Sequence, residues 1–218
     1  MKTSMALKSL LGAAALALPL MASAESNVST SVTGVGPLSA AARVNFSIVV
    51  AKTLYLRVGT GSAYTTPTYA ANPQQDTITF TPAIAALGNS TPVAGTGGEA
   101  AASAETAAVV SNGGTVTLTA NTGGALKDAN GDAINYTEIK TTAAATGSGF
   151  TTLLNAPTLA NGASSTNVVL TPTPAKGVIQ ADAVWTYAYA NTAVVAPGTY
   201  GAVTAGGNGL VTYTATMP

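Results

Sequence analysis

The sequence from Ala183 to Ala190 reads Ala-Val-Trp-Thr-Tyr-Ala-Tyr-Ala and points to a β-protein more clearly than any other stretch of the chain. Trp185, Tyr187 and Tyr189 recur at every second position, so a β-strand places their three rings on one face. Aromatic residues are also enriched in strands. The stretch therefore predicts a β-strand with one aromatic face.

Further segments with the same character lie on either side of this strand. Each is short, rich in β-branched or aromatic residues, and bounded by clusters of Gly, Pro or Asn, as is typical of strands joined by turns. Together they predict an all-β fold, an immunoglobulin-like antiparallel β-sandwich of about seven to nine short strands. The other predicted strands are Arg43–Val50, Leu54–Val58, Asp76–Thr81, Thr115–Ala120, Asn167–Leu170 and Leu210–Thr216.

Three stretches lack the strand pattern. Gly88–Glu105 is rich in Gly, Ala and Ser and predicts a long loop, with an Ala-rich helix over Glu99–Val110 as the alternative. Thr141–Ser148 predicts a polar connection. Thr171–Pro174 contains two prolines without an N–H, which favours a turn or a sheet edge. None of these stretches divides the chain into two cores.

The first 24 residues have the pattern of an export signal. Lys2 and Lys8 precede an apolar run, and Ala22-Ser23-Ala24 matches the small-x-small cleavage rule. We therefore expect a signal peptide over residues 1–24, an extended segment over 25–38, and one β-sandwich domain over 39–218. No later stretch is apolar over the length of a bilayer, so we expect no transmembrane segment after cleavage.

The chain carries few charges. Charged residues make up 7% of the sequence, and removal of Lys2 and Lys8 leaves six basic against eight acidic side chains. Because no basic patch is available to neutralise a row of phosphates, nucleic acid is not expected as a partner. A low net charge also weakens the repulsion between copies and favours self-association.

Cysteine and histidine are both absent. Without these residues the chain has no thiolate nucleophile, no imidazole general base and none of the ligands that usually bind zinc. The sequence contains no phosphate-binding loop and no serine-hydrolase elbow with a histidine partner. We therefore predict no enzyme activity, no catalytic residues, no cofactor and no dedicated metal site.

The stretch from Asp128 to Ile139 partly resembles a calcium loop. Asp128, Asn130 and Asp132 stand where an EF-hand places its first three oxygen ligands. Ala133 replaces the required glycine and Ile139 replaces the bidentate carboxylate. Because Asn130-Gly131 is also a strong turn signal, a tight turn is favoured over a weak Ca²⁺ site.

The aromatic row of Trp185, Tyr187 and Tyr189 has two interpretations. Aromatic side chains on one strand face usually fill a sandwich core, with a tyrosine hydroxyl at its rim. The same row could instead form a ligand platform on which a glycan stacks. Alternation with Thr186 and Ala188 does not decide which face is buried, although a core is favoured.

The last third of the chain resembles the closing strands of secreted bacterial fimbrial subunits. The resemblance covers Trp185–Asn191, the turn Ala196-Pro197-Gly198-Thr199-Tyr200-Gly201, and the final Val211–Pro218. It is similar to the chaperone–usher and spore-coat-U-like pilin group, or to a related family of exported proteobacterial β-sandwich proteins. Pilins of these groups commonly carry a disulfide, and this chain has none.

The resemblance implies a structural protein of the periplasm, cell surface or fimbrium of a Gram-negative-type bacterium. Its partners would be further copies or neighbouring fibre subunits, with a periplasmic chaperone. Assembly would proceed by β-strand addition, in which an amino-terminal segment joins a neighbour's sheet. The side chains implied in strand exchange are Val28, Thr30, Val32, Val35 and Leu38. The alternative is a secreted or periplasmic glycan-binding module.

Overall fold

A computed structural model describes residues 26–65, 69–99, 102–172, 177–201 and 207–218. The expected signal peptide lies outside these residues. The chain divides into two units, Met1–Val50 and Ala51–Pro218. In the first unit, the described residues 26–50 form no helix or strand. In the second, the described residues form twelve strands and two short 3-10 helices.

The strands are mostly short and antiparallel, and β11 is the longest at eleven residues. The 3-10 helices are Ile84–Ala86 and Tyr136–Glu138. The strands are β1 Leu54–Val58, β2 Ile78–Phe80, β3 Val93–Gly97, β4 Ala104–Ser111, β5 Val116–Thr122, β6 Leu126–Lys127, β7 Ala133–Ile134, β8 Ile139–Ala144, β9 Thr152–Leu153, β10 Val168–Leu170, β11 Ile179–Tyr189 and β12 Val211–Thr216.

β11 is the central strand of a seven-stranded sheet. Along one side it pairs with β4 and then β3, and along the other with β9 and then β8. Trp185 accordingly lies opposite Glu105 on β4 and Ala143 on β8. β1 extends the sheet beyond β4, and β2 extends it beyond β3. Among the described strand pairs, only that of β9 with β11 is parallel.

A second sheet has the order β10-β5-β12 and is antiparallel throughout. On β5 the buried Val116 and Leu118 alternate with half-exposed Thr117 and Thr119, as expected for a strand with one face in a core. The predicted strand over Thr115–Ala120 is therefore confirmed.

The two sheets share one hydrophobic core, so the all-β sandwich is confirmed. Buried side chains of β4 and β11 from one sheet cluster with those of β5 and β10 from the other. The Trp185 indole on β11 lies 5.2 Å from the ring of Tyr213 on β12, centroid to centroid. Face-to-face packing of two antiparallel sheets is the defining feature of a sandwich.

One predicted strand is wrong. Residues 43–50 have the alternation of a half-buried strand, but they form no strand and their large side chains are exposed. An extended segment becomes a strand only when a neighbouring strand satisfies its backbone groups. Residues 44–50 pair with none of the described strands, so the apolar pattern alone does not produce a strand.

Two predicted connections contain strands. The Gly88–Glu105 region includes β3 and the start of β4, and the alternative helix over Glu99–Val110 is replaced by β4. Thr141–Ser148 contains the last four residues of β8. In both places pairing with the central strand overrides weak local preferences. Of Thr171–Pro174, the first two residues lie outside any strand and the last two lie outside the described residues.

Candidate functional site

The residues implied in strand exchange lie in an exposed, irregular segment. Val28, Val32, Val35 and Leu38 are each more than half exposed, and Thr30 is exposed as well. None of them belongs to a strand. A turn at Val32–Thr33 is followed by glycines with positive φ at positions 34 and 36, which interrupts the extended backbone that continuous pairing requires.

A second exposed stretch, the apolar segment Val44–Val50, has the stronger strand pattern. Val44, Phe46, Ile48 and Val50 recur at every second residue and are 68%, 89%, 88% and 76% exposed. The segment contains no charged residue and no proline or glycine. Exposed segments with this composition readily pair with another chain. The sequence indicated the alternation correctly, but only the structure shows that the segment is unpartnered.

The aromatic row on β11 lies in the core. Trp185, Tyr187 and Tyr189 are 0%, 7% and 5% exposed. The Trp185 indole N–H donates to the carbonyl of Leu154 at 2.6 Å, and the hydroxyls of Tyr187 and Tyr213 lie 3.0 Å apart. A glycan platform needs exposed ring faces, and these rings offer none. The platform interpretation of this row is therefore wrong.

The calcium-like stretch forms a tight turn. Leu126 lies opposite Ile134 in the β6–β7 hairpin, and the Asp128 carboxylate accepts the N–H groups of Asn130 and Asp132 at 3.0 and 2.8 Å. Gly131 has φ +93, as the turn requires. The Asp128 carboxylate thus closes the turn, which confirms the turn interpretation. Among the described residues, no three His, Cys, Asp or Glu side chains are grouped to hold a metal ion.

A buried glutamate, Glu105, lies at one end of the core. It is 4% exposed and shares its strand face with Ala107 and Val109. Its Oε2 accepts the N–H of Glu99 at 3.1 Å, and its side chain is hydrogen-bonded to that of Asp76. Burial, together with the carboxylates of Asp76 and Glu99, raises the pKa of Glu105 to about 7.

The surroundings of Glu105 fit its carboxyl group closely. Gly59 has φ +81, a conformation that favours glycine, and a Cβ placed there would crowd the carboxylate oxygens of Asp76 and Glu105. Glu99 in turn accepts the N–H of Thr106 at 3.1 Å and forms an ion pair with Arg57. Arg57, Asp76, Glu99 and Glu105 form the Glu105 group. Their ion pair and hydrogen bonds connect β1 and β4 with the segments that precede β2 and β4.

Asp182 is the second buried carboxylate, on the face of β11 that points away from the core. Its Oδ2 accepts hydrogen bonds from the hydroxyls of Tyr64 at 2.8 Å, Thr146 at 2.6 Å and Ser148. A buried charge with several hydrogen bonds is compensated rather than reactive. The Asp182 group therefore anchors two connecting segments to the sheet. The sequence does not reveal the Asp182 group, because its members come from distant positions.

The edge strand β8 and the groove beside it lie at one margin of the seven-stranded sheet. β8 pairs with β11 on one side, and no described strand pairs with its other side. The groove runs between β8 and the segment 156–159. Its walls are formed by Thr137, Ile139, Lys140, Thr141, Ala156, Pro157, Thr158 and Leu159.

No helix among the described residues has the length and apolar character needed to cross a membrane.

This chain matches no protein-family model, no curated protein and no solved structure.

Proposed function

We propose that this protein is a non-enzymatic, exported structural protein, a fimbrial or surface-fibre subunit that assembles by β-strand addition. An amino-terminal segment of one copy would join the sheet of the next copy or of a neighbouring fibre subunit. The export signal expected over residues 1–24 supports a location in the periplasm, on the cell surface or in a fimbrium. A periplasmic chaperone would cover the exposed segment before assembly.

The observation that carries this proposal is the exposure of the apolar segment Val44–Val50. Burial of an aliphatic or aromatic side chain contributes about 1.5–3 kcal/mol, so four inward side chains would contribute on the order of 6–12 kcal/mol. Ordering seven backbone residues costs a similar amount, at about 1–2 kcal/mol each. Backbone pairing and close contact with the acceptor therefore decide whether assembly is stable.

The described side chains favour a structural role over catalysis. The buried carboxylates Glu105 and Asp182 hold neighbouring segments through hydrogen bonds and do not line the groove beside β8. The 25–38 segment remains a further part of the proposed contact. Its interrupted backbone makes Val44–Val50 the stronger candidate for the added strand.

The proposal predicts that the mature chain forms oligomers or fibres and that polar substitutions in the apolar segment prevent them. The double variant Phe46→Ser/Ile48→Ser removes two exposed apolar side chains, so its folded domain should be unaffected while its assembly constant falls by on the order of a hundredfold or more. Sedimentation velocity and negative-stain electron microscopy measure the assemblies, and circular dichroism checks the fold.

Asn45→Ser is the matched control, because it changes a polar residue of the same segment. It should assemble like the unsubstituted chain. A mature chain that stays monomeric over a wide concentration range, or a double variant that assembles normally, would show that this segment does not drive assembly.

A further inference from the structure

The edge of β8 is the most favourable place on the sheets for an added strand. β8 extends over six residues, Ile139–Ala144, and its unpaired side leaves a row of backbone groups open to another chain. β12 is equally long, but it lies beside β1. β2 and β10 have three residues each and β9 has two. β8 is therefore the longest described edge that no other strand covers.

The groove beside β8 suits a strand with one apolar and one polar face. Ile139, Ala156 and Leu159 supply apolar wall, and Thr141 adds a short polar side chain. Along β8, half-buried residues alternate with exposed ones, so Lys140, Thr142 and Ala144 face solvent. A strand added here would bury every second side chain against the groove and expose the others beside Lys140.

The apolar segment Val44–Val50 of a second copy has this pattern. Val44, Phe46 and Ile48 would face the groove, while the uncharged Asn45 and Ser47 would lie on the solvent side. The seven-residue segment matches the six residues of β8 in length. It carries no charge that would conflict with Lys140.

We propose that the acceptor for assembly is the free edge of β8 together with its groove, and that its occupant is the Val44–Val50 segment of another copy of this chain. This inference rests on the proposed function. Pairing there would extend the seven-stranded sheet of one copy by a strand from the next. The donor segment and the acceptor edge are different surfaces of the chain, so the contact is heterologous and each added copy still offers a free donor or a free acceptor to the next.

Because the chain contains no cysteine, a disulfide can form only between introduced cysteines, and disulfide trapping therefore tests this contact specifically. One preparation of the full mature chain carries Ser47→Cys and an affinity tag, and a second, untagged preparation carries Thr142→Cys on β8. The two are mixed during assembly and oxidised, and mixed disulfide dimers are measured on non-reducing gels. Lys140→Cys and Ala144→Cys cover the neighbouring registers. Thr214→Cys, an exposed position on β12, is the matched control.

We expect at least one β8 position to form the mixed disulfide several-fold more efficiently than Thr214→Cys. Assembly with equal or stronger trapping at β12, or with no trapping at any β8 position, would overturn the β8 acceptor while leaving assembly itself intact. If neither assembly nor trapping occurs, the proposed function is overturned together with its acceptor.

Discussion

Replacing Trp185 with alanine should lower the free energy of unfolding by about 3–5 kcal/mol, the usual cost of truncating a fully buried aromatic side chain. The indole is completely buried between the two sheets and packs on Tyr213. Its loss would also leave the carbonyl of Leu154 without its 2.6 Å partner. Since domains of this kind are stable by about 5–15 kcal/mol, this loss is a large share of the total stability.

Urea denaturation followed by far-ultraviolet circular dichroism measures this effect without relying on the substituted tryptophan. Trp185→Phe is the control, since it keeps most of the ring but removes the N–H donor. It should cost less, about 1–3 kcal/mol. A Trp185→Ala variant as stable as the unsubstituted chain would show that the indole does not lie in the core.

The second large effect concerns pH. The pKa of Glu105 rises from 4.5 in the unfolded chain to about 7 in the folded protein, because burial disfavours its charged form. The folded state therefore binds one more proton than the unfolded state between these two values. The stability from this group is complete below pH 4.5 and is lost as pH rises towards 7, by about 3 kcal/mol in total.

Thermal or urea unfolding at pH 5 and pH 8 measures the loss. Glu105→Gln should remove most of the difference and stabilise the protein at pH 8, because a neutral amide never has to be buried as a charge. Glu138→Gln, which removes a carboxylate outside the Glu105 group, should keep the difference in stability between pH 5 and pH 8. If the unsubstituted chain were equally stable at both pH values, Glu105 would not be held protonated by its surroundings.

The comparison of β8 with residues 43–50 shows what the sequence could and could not predict. Residues 44–50 alternate strongly but pair with none of the described strands, whereas Ile139–Ala144 alternate weakly and form a strand along β11. Alternation reports the side chains that a strand could bury. Pairing depends on which segments the fold places side by side. The alternation within one segment does not identify its partner strand.

The candidate site was predictable to a similar extent. The sequence identified the aromatic row and the Asp128 turn, and it gave two interpretations of each that burial and hydrogen bonding then separated. The Asp182 group was not predictable, because its members lie far apart in sequence: the hydroxyl of Tyr64, more than a hundred positions away, donates to the Asp182 carboxylate. The Glu105 group was not predictable either, because its members come from separate strands and connecting segments. The unpaired edge of β8 likewise follows from topology alone.

Hydrogen exchange of the amides of residues 44–50, compared between monomer and assembled protein, tests the central claim most directly. Exposed extended backbone exchanges rapidly, whereas amides in a β-ladder are protected. We predict rapid exchange in the monomer and strong protection of alternate amides after assembly, together with new protection along β8. Assembled protein in which residues 44–50 exchange as rapidly as in the monomer would contradict β-strand addition by this segment.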